Sequence, residues 1–376
     1  MRARRVLAVT IALLLGLPAA VGSAVPGGAA PGGAAPGGAE PDRDVTVMSR
    51  NLYLGASLGP IIQPPDGDVL AGVRAVWAQV QATDYPQRAE ALADEIATAQ
   101  PLLVGLQEVT TYRQGPVFDP APAEDVVLDF LEVLLDELAE RGTPYRALVS
   151  IDNFDGELPH LDGPNSFDLR LTDRDVIIAR ADVPTSQLQV VATDAGTFDA
   201  AVVLPIGGQL APVLRGWVSV DVRHRGKLLR FVNTHPEAFD DDVNAAQIAE
   251  LVAGPLATSL PVVLVGDLNA TPDSPAMAPV FAAGFEDTAL TAPGADAGPT
   301  CCFDATVTGG SLTERIDYVL YRGAFEALAQ SRVGHLDTDR TAGGLYPSDH
   351  AGVVAELRLA PTLNVPAARS AAHAGR

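Results

Sequence analysis

The chain has 376 residues, 47% of them hydrophobic, which is enough to form the core of one large domain or two ordinary ones. The formal net charge is −22, the pI is about 4.5, and Lys227 is the one lysine. This composition excludes a long basic footprint for nucleic acid, although a metal ion and a few arginines could neutralise negative charge at one place.

The first 24 residues have the pattern of a secretory signal peptide. Arg2, Arg4 and Arg5 precede an apolar run at residues 6–17, which is too short for a comfortable membrane span, and small residues follow at 22–24. A retained membrane anchor is the alternative, but these flanks fit a cleaved signal better. We therefore expect residues 1–24 to be removed, the protein to be secreted, and the mature form to have no transmembrane span.

Residues 25–43 repeat proline, glycine and alanine, and they predict a flexible linker because they offer almost nothing to bury. Globular patterns begin at Asp44 and continue without an internal linker, so we predict one catalytic-sized domain at residues 44–360. The alanine-rich residues 361–376 predict a disordered tail.

The hydrophobic pattern of this domain predicts both strands and helices. The predicted elements, in chain order, are a strand at 45–48, a helix at 84–100, a strand at 102–106, a helix at 123–141, strands at 174–180, 217–222 and 228–233, a helix at 242–252, and strands at 262–265, 316–321 and 353–359. Residues 224–227 (HRGK) predict a hairpin turn, and the acidic run at 240–242 predicts a helix N-terminus. Such a mixture predicts a layered α/β or α+β domain with sheets as its inner layers.

The two cysteines are adjacent, at Cys301 and Cys302. An exported chain meets oxidising conditions, which favours a vicinal disulfide, although neighbouring residues are closer than the usual bridge spacing. Two buried small residues are the equal alternative. No CxxC motif or neighbouring histidine pair accompanies them, which argues against a zinc site.

Polar residues of the types that bind metals and phosphate border six of the predicted strands. They are Asn51, Glu108, His235, Asp267 with Asn269, Asp317, and Asp349 with His350. One such residue alone is usually a turn or cap residue. Because a rigid sheet can hold side chains at its strand ends in fixed geometry, the whole set predicts a single pocket for a hard metal ion and a phosphate.

The motifs that contain these residues are, in order, NLY, LQEV, THPE, GDLNA, RIDYVL and SDH. This series resembles the endonuclease/exonuclease/phosphatase superfamily, which includes deoxyribonucleases, abasic-site endonucleases, sphingomyelinases and inositol-polyphosphate 5-phosphatases. The resemblance covers residues 44–360, and GDLN together with SDH is its most specific part. It implies a four-layered α/β sandwich, with two mixed β-sheets packed face to face and helices outside, and metal-dependent cleavage of phosphoester bonds.

The resemblance also implies which residues hold the metal and the phosphate. Glu108 would be the principal ligand of Mg²⁺, with Asn51 and Asp349 as further metal-site residues, and Mn²⁺ or Ca²⁺ could replace Mg²⁺. Asn51, His235 and Asn269 would contact the substrate phosphate. Carboxylate ligands suit Mg²⁺, and an amide at Asn269 contacts phosphate without adding negative charge.

The remaining implied roles concern proton transfer. Asp267 would orient or deprotonate the attacking water, and His350 would act on the nucleophile or stabilise phosphate charge. Asp317 would be the carboxylate partner of His350, and His235 would lie against the phosphate or the leaving group. An imidazole can exchange protons near neutral pH, and a carboxylate partner fixes its tautomer.

Some polar residues outside these motifs leave two interpretations open. Arg170, Arg174 and Arg180 could reach a substrate phosphate, or they could form surface ion pairs. Tyr112 and Arg113 could contact a base or a head group, or they could simply pack. The polar segment 162–168 could line the cleft or be a surface loop, and residues 196–208 predict a variable insertion.

We therefore expect a secreted divalent-metal-dependent phosphodiesterase that acts on nucleic acid or a phospholipid head group, with no obligate protein partner. A phosphomonoesterase on the same scaffold is one alternative. A catalytically silent binding protein is another, although the residue types at Glu108, Asp267 and His350 are retained. A calcium-binding module would need a DxDxDG loop, which is absent. No hairpin rich in Trp or Phe stands out as a lipid-binding element.

Overall fold

The computed structural model describes residues 44–206 and 209–359. The predicted signal peptide, linker and tail lie outside the described residues. The helices are α1 (Gly59–Ile62), α2 (Val69–Ala82), α3 (Tyr85–Ala99), α4 (Phe130–Glu140), α5 (Asp241–Ala253), α6 (Ala278–Ala282) and α7 (Thr288–Thr291). None of the helices in the described part of the chain is both long enough and apolar enough to cross a bilayer.

The described residues also form eighteen strands, many of which follow the predicted apolar runs. They are β1 (Asp44–Asn51), β2 (Leu103–Gln107), β3 (Thr111–Gly115), β4 (Asp125–Asp129), β5 (Tyr145–His160), β6 (Phe167–Arg180), β7 (Leu188–Thr197), β8 (Val202–Ile206), β9 (Gln209–Val213), β10 (Gly216–His224), β11 (Lys227–Thr234), β12 (Val262–Asp267), β13 (Glu286–Asp287), β14 (Cys301–Phe303), β15 (Gly310–Glu314), β16 (Asp317–Arg322), β17 (Phe325–Val333) and β18 (Gly352–Leu359).

Two mixed sheets organise these strands. The larger sheet has the order β17-β18-β1-β2-β6-β3-β4, with β5 also paired to β6, and the smaller has the order β13-β16-β12-β11-β10-β7. Within them β1 pairs with β2, and β11 with β12, in parallel. The strand pairs β8–β9 and β14–β15 form separate two-stranded ribbons.

Alternating side chains along the strands build the layers. Val47 and Leu103 of the larger sheet join Phe231 and Val263 of the smaller sheet in one buried core. The alternate positions face outward, where the larger sheet packs with α2, α3 and α4 and the smaller sheet with α5 and α6. The result is the predicted four-layered α/β sandwich, with two sheets inside and helices outside.

The prediction of a helix at 123–141 was wrong in its first part. Residues Asp125–Asp129 form β4, which pairs with β3 at the edge of the larger sheet. The helix begins only after Asp129, whose side chain accepts hydrogen bonds from the backbone N–H groups of Leu131 and Glu132. The predicted turn at 224–227 and the predicted helix start at the acidic run were confirmed, because Asp240 caps α5 in the same way.

One polar residue crosses the interface between the two sheets. Asn233 of β11 is fully buried, and its Nδ2 donates to the backbone oxygens of Leu106 and Val176 in the larger sheet at 2.9 and 3.2 Å. Gln107 Nε2 donates back to Asn233 Oδ1 at 2.6 Å. Gly105 leaves room for this contact, since a Cβ there would lie 2.7 Å from Asn233 Oδ1. These bonds fix the two sheets relative to each other next to the ends of β2 and β11.

Candidate active site

Asp267, the last residue of β12, lies at the centre of the predicted polar set. It is 1% exposed, and Asp317 lies opposite it in the register of β16. The preceding residue must be glycine, because Gly266 has a φ of +152° and a Cβ there would lie 2.1 Å from the backbone oxygen of Thr234. Burial and the neighbouring Asp317 raise the pKa of Asp267 to about 7. Asp267 is therefore a far stronger base than an exposed aspartate.

His350 approaches Asp267 with its ring held by a second carboxylate. Its Nδ1 lies 2.9 Å from Asp317 Oδ2, and its Nε2 lies 3.7 Å from Asp267 Oδ2. Burial lowers the pKa of His350, but the nearby carboxylates of Asp317, Asp267 and Asp349 outweigh burial and raise it well above its ordinary value. The imidazole is therefore held in its charged form, with Nδ1–H directed at Asp317.

His235 contacts the same carboxylate oxygen from another strand end. Its Nε2 lies 3.5 Å from Asp267 Oδ2, and its Nδ1 lies 3.3 Å from Nη1 of Arg215. A guanidinium can only donate, so Nδ1 accepts and the ring proton is on Nε2. Burial, followed by the positive charges of Arg215 and His350, lowers the pKa of His235 well below its ordinary value.

Asn51 and Glu108 complete the polar group at the ends of the parallel strands β1 and β2. Asn51 Nδ2 donates to Glu108 Oε1 at 3.0 Å and to Asp267 Oδ2 at 3.1 Å. Glu108 Oε2 accepts from the backbone N–H of Leu54 at 2.7 Å, and Glu108 itself has a left-handed φ of 56°. A non-glycine residue in that region is uncommon and is typical of functional sites.

Asn269 and Asp349 lie at the margin of this group. Asn269 also has a left-handed φ, of 47°; its backbone N–H donates to Asp267 Oδ1 at 3.0 Å and its Nδ2 to Pro236 O at 3.0 Å. Asp349 Oδ1 lies 4.0 Å from His350 Nε2. Burial is the main cause that raises the pKa of Asp349 to about 6, with the charge of Glu108 adding to it and His350 opposing it. The structure thus brings all eight predicted site residues to one region.

Two buried arginines hold the loops that carry these residues. Arg88 of α3 donates to the backbone oxygens of Leu52 and Tyr53, just after Asn51, and to that of Pro347, three residues before His350. Arg50 donates to the backbone oxygen of His350 and to Glu95. Neither arginine was predicted from the sequence, because nothing in the local pattern distinguishes a buried arginine from a surface one.

An acidic pair on β6 and the arginine beside His235 were also not predicted from the sequence. Asp173 and Asp175 are 6% and 0% exposed, and both oxygens of Asp175 lack a hydrogen-bond partner in this structure. Burial raises the pKa of Asp173 to about 7, with Glu108 raising it further and Arg215 lowering it. Acidic residues at alternate positions next to an apolar run, as in DRDVII at residues 173–178, were the signal that could have identified them.

The arginines predicted as substrate contacts or ion-pair residues form ion pairs. Arg170 pairs with Asp155 at 2.6 Å, Arg174 with Asp129 at 2.9 Å, and Arg180 with Asp182 at 2.6 Å. None of the three lines the cavity beside Asp267, so the ion-pair interpretation is favoured over the phosphate-contact interpretation.

The structure also shows where Tyr112, Arg113 and the polar segment 162–168 lie relative to the site. Tyr112 is 1% exposed, and its hydroxyl donates to Leu54 O at 2.8 Å, as the packing interpretation predicts. Arg113 donates to Thr172 Oγ1 at 2.7 Å. None of the described residues that line the pocket comes from 162–168.

A cavity of about 1030 Å³ opens beside Asp267 and His350. Glu108, His235, Asp267, Asn269 and His350 line its polar end. The rest of its wall is largely apolar, and includes Leu54, Ile61, Val76, Leu158, Leu171 and Leu204. Two of the apolar side chains that line it, Leu210 of the β8–β9 ribbon and Phe239, are 76% and 57% exposed. A reactive phosphate group could therefore bind next to a broad apolar surface.

Cys301 and Cys302 line the same cavity and are joined by a disulfide bond. Cys301 is 7% exposed, whereas Cys302 is exposed, and Cys302 Sγ lies 3.6 Å from Nε2 of His350. The sequence shows no CxxC motif or neighbouring histidine pair, but the fold places one histidine, His350, beside the cysteines although it is distant in sequence.

A two-sheet sandwich with carboxylates, amides and imidazoles at its strand ends defines a class of phosphoester hydrolases. The sequence profile of the Endonuclease/Exonuclease/phosphatase family matches residues 67–350, and the chain belongs to this family. No curated protein matches the sequence significantly.

Solved structures share the fold at low sequence identity. A family member from Bacteroides thetaiotaomicron is 17% identical with a TM-score of 0.53, and the match covers 86% of this chain and 100% of that one. A mannosyl-6-phosphatase from the same organism is 17% identical with a TM-score of 0.52, covering 83% and 99%. A humanized D. rerio TDP2 is 16% identical with a TM-score of 0.50, covering 84% and 99%.

Proposed function

We propose that the protein is an exported, divalent-metal-dependent phosphodiesterase that cleaves the head group of a phospholipid. One observation carries the reaction class: the Nε2 atoms of His235 and His350 lie 3.5 and 3.7 Å from one oxygen of Asp267, beside Glu108 in an open cavity. This arrangement combines a base, two imidazoles in different charge states and a further carboxylate at one point.

The residues present fit a hard divalent cation. Glu108 and Asp349 offer carboxylate oxygens, and the charge of Glu108 raises the pKa of Asp349, which places the two carboxylates within electrostatic reach of each other. We assign Glu108 as the principal ligand of Mg²⁺, with Asp349 beside it; Mn²⁺ or Ca²⁺ could replace Mg²⁺. Asn51 directs its amide N–H at Glu108 and so orients that ligand. When bound, such a cation neutralises charge on a phosphate and lowers the pKa of a water.

The protein's own groups divide the proton chemistry among them. Asp267, with a pKa of about 7, is suited to orient a water and accept its proton at Oδ2. His350, held in its charged form by Asp317, stabilises negative charge on the phosphate and can donate a proton from Nε2. His235 is neutral with its proton on Nε2, so it can donate a hydrogen bond without repelling His350.

The apolar wall favours a lipid over a nucleic acid. Nucleic-acid binding relies on cations that neutralise the backbone, but this chain has a net charge of −22 and the three arginines of β6 considered above are paired. Two exposed side chains that line the cavity, Leu210 and Phe239, lie instead where an acyl chain or a membrane surface would meet it. The Cys301–Cys302 disulfide supports export, because disulfides persist in oxidising compartments.

Removal of the metal tests the reaction class. We expect EDTA to abolish turnover of phosphatidylcholine or sphingomyelin vesicles, and Mg²⁺ or Mn²⁺ to restore it, because the transition-state charge then regains its counter-ion. The same assay should include plasmid DNA, RNA, bis(p-nitrophenyl) phosphate and p-nitrophenyl phosphate. Full activity in EDTA would exclude the metal role, and faster turnover of the monoester than of any diester would favour the phosphatase alternative.

A matched pair of variants tests the lipid assignment. Leu210→Asp places a charge on the β8–β9 ribbon, whereas Leu290→Asp places one at an equally exposed leucine, 73% against 76%, that does not line the cavity. We expect Leu210→Asp to lower turnover of vesicles about tenfold, because the variant loses the burial of one leucine side chain against the lipid. Turnover of bis(p-nitrophenyl) phosphate should not change. Equal behaviour of both variants on vesicles would count against a lipid surface, and preferential cleavage of DNA or RNA would replace it with a nuclease.

A further inference from the structure

Cys301 and Cys302 line the pocket, yet the proposed hydrolysis uses neither of them. Their two sulfur atoms and an imidazole nitrogen of His350 all lie within 4.8 Å of one another. Thiolates and imidazole together are the ligands that zinc prefers, whereas Mg²⁺ prefers oxygen. The pocket therefore contains a second donor set, of different chemistry, that is blocked while the sulfurs are bonded to each other.

We propose that, when its disulfide is reduced, the protein binds one Zn²⁺ through Cys301, Cys302 and His350, and that this binding stops phosphoester cleavage. The second part rests on the proposed function, whereas the first part does not. A small dithiol supplies two electrons and two protons to the disulfide, which becomes two thiols while the dithiol closes to its own disulfide. Zn²⁺ then displaces the two thiol protons to solvent, because thiolates are the ligands.

The distances fit zinc without movement of the histidine. A tetrahedral Zn²⁺ with bonds of about 2.3 Å to sulfur and about 2.0 Å to nitrogen holds those two atoms about 3.5 Å apart. Cys302 Sγ and His350 Nε2 are 3.6 Å apart. Asp267 Oδ2 and Asp349 Oδ1 lie 3.7 and 4.0 Å from the same nitrogen, so a carboxylate or a water can take the fourth position.

The histidine is also oriented as a zinc ligand usually is. Its Nδ1 is hydrogen-bonded to Asp317 at 2.9 Å, which leaves Nε2 directed at the sulfurs. A carboxylate behind the imidazole is the common arrangement at zinc sites and strengthens the ligand. Because Nε2 is the same atom that faces Asp267 and the phosphate in hydrolysis, a metal bound there would prevent His350 from holding a proton at that position.

The backbone around the cysteines is held independently of the disulfide. The N–H of Phe303 donates to Asp349 O at 2.9 Å, and the N–H of Ala351 donates to Thr300 O at 2.8 Å. The hydroxyl of Thr300 accepts from the N–H groups of Ile316 and Asp317 at 3.1 Å each. None of these four hydrogen bonds involves a sulfur atom, so all four remain when the sulfurs separate, and we expect the site to persist in the dithiol form.

Titration with Co²⁺, which replaces Zn²⁺ and reports sulfur ligation by its thiolate charge-transfer absorption, tests the binding directly. The protein is reduced with dithiothreitol, desalted without air, and compared with the oxidised protein and with Cys301→Ser/Cys302→Ser. We expect one thiolate-bound cobalt per reduced chain, displaced by Zn²⁺, and none in the other two samples. His350→Gln should weaken the reduced site at least about tenfold.

Inhibition is then measured as the ratio of activity with and without stoichiometric Zn²⁺, under saturating Mg²⁺. Zn²⁺ should lower the activity of the reduced protein at least about a hundredfold, because the loss of one acid–base group has an effect of that size. It should lower the activity of the double serine variant only slightly. Absence of the thiolate absorption, loss of the folded circular dichroism signal on reduction, or equal inhibition of the serine variant would each overturn the proposal. If no form cleaves any phosphoester, the proposed function fails while the cobalt titration still decides the binding.

Discussion

His350 and His235 contact the same oxygen of Asp267, at 3.7 and 3.5 Å, but their other neighbours are opposite in charge. Asp317 lies behind Nδ1 of His350, whereas Arg215 lies behind Nδ1 of His235. The pKa of His350 is consequently raised and that of His235 lowered, although both rings are buried and burial alone would lower both. Asp317 and the other nearby carboxylates thus outweigh burial at His350, whereas Arg215 adds to the effect of burial at His235.

The opposite pKa shifts of the two histidines give them different roles in the proposed reaction. Two identical imidazoles that were both charged would repel each other, and two that were both neutral would leave the phosphate without a nearby cation from the protein. With one of each kind, a proton donor and a neutral hydrogen-bond donor surround the same carboxylate. The pairs Asp317–His350 and Arg215–His235 can therefore be altered one at a time. Each substitution should change the charge of the histidine in its own pair and leave the other histidine unchanged.

The largest expected effect comes from the His350 side. His350→Gln and Asp317→Asn should each lower kcat by about 10²–10⁴-fold, because the first removes the charged imidazole and the second removes the carboxylate that keeps it charged. The melting temperature should change little, since Asp317→Asn is isosteric and His350→Gln keeps a polar side chain of similar size. Steady-state kinetics on bis(p-nitrophenyl) phosphate and thermal unfolding measure the two quantities.

A second histidine–aspartate pair provides the control for this prediction. His335 Nε2 lies 4.0 Å from Asp296 Oδ2, and neither residue lines the pocket. His335→Gln should therefore leave kcat unchanged. If His350→Gln unfolds the protein, or if it lowers kcat no more than His335→Gln does, then His350 has a structural role and the comparison between the two sides fails.

A smaller effect is expected on the His235 side. Arg215→Gln keeps a hydrogen-bond donor but removes the positive charge, so the pKa of His235 should rise. The pKa of His350 should stay where it is, because Arg215 is not among the charges that shift it most. An NMR titration of the imidazole C–H signals measures both values, with His235→Gln for assignment.

The control here is an arginine that does not line the pocket. Arg223 is exposed, and Nη1 of its side chain donates to Gly226 O in the hairpin turn. Arg223→Gln should leave both titrations unchanged. An unchanged pKa of His235 in Arg215→Gln would show that burial alone keeps this ring neutral, and the comparison would then rest on Asp317 only.

The sequence predicted those pocket residues that belong to a short local motif, and it did not predict those whose role depends on residues far away in the chain. GDLN and SDH place their residues at the ends of apolar strands, and the sheets bring those ends together, so Asp267 and His350 were found from local patterns. Asp317 was found in the same way, through RIDYVL at the start of β16. The core strands were predicted for the same reason, since their hydrophobic pattern is local.

The residues that support the site have no such signal. Arg215 follows β9 in a segment with no recognisable motif, and Arg88 is one of several similar positions on an amphipathic helix. The sequence pattern predicts only that Asn233 ends a strand, although its side chain links the two sheets. Each of these depends on a neighbour more than 15 residues away, which one sequence does not show. The early start predicted for α4 has a local cause, because the apolar residues of β4 continue the helical pattern.

The smallest expected effect concerns stability on the His350 side, where Arg50 joins Glu95 to the backbone of His350. Burial raises the pKa of Glu95 from 4.5 to about 7, with Arg50 opposing the shift. Between these values the folded protein keeps a proton that the unfolded chain has released, so stability falls as the pH rises through this window. The slope from one group is at most about 1.4 kcal/mol per pH unit.

Glu95→Gln should remove this contribution and make the fall in unfolding free energy between about pH 5 and about pH 7 shallower by up to that slope. Part of the fall should remain, because the raised pKa values of Asp173 and Asp175 act in the same direction. Glu140→Gln, at an exposed position at the end of α4, should keep the full slope. Urea unfolding at several pH values measures all three proteins. If the pH dependence of the unfolding free energy is identical in the wild type and Glu95→Gln, then Arg50 keeps Glu95 ionised. The arginine that donates to the backbone oxygen of His350 would then be held by a charged carboxylate.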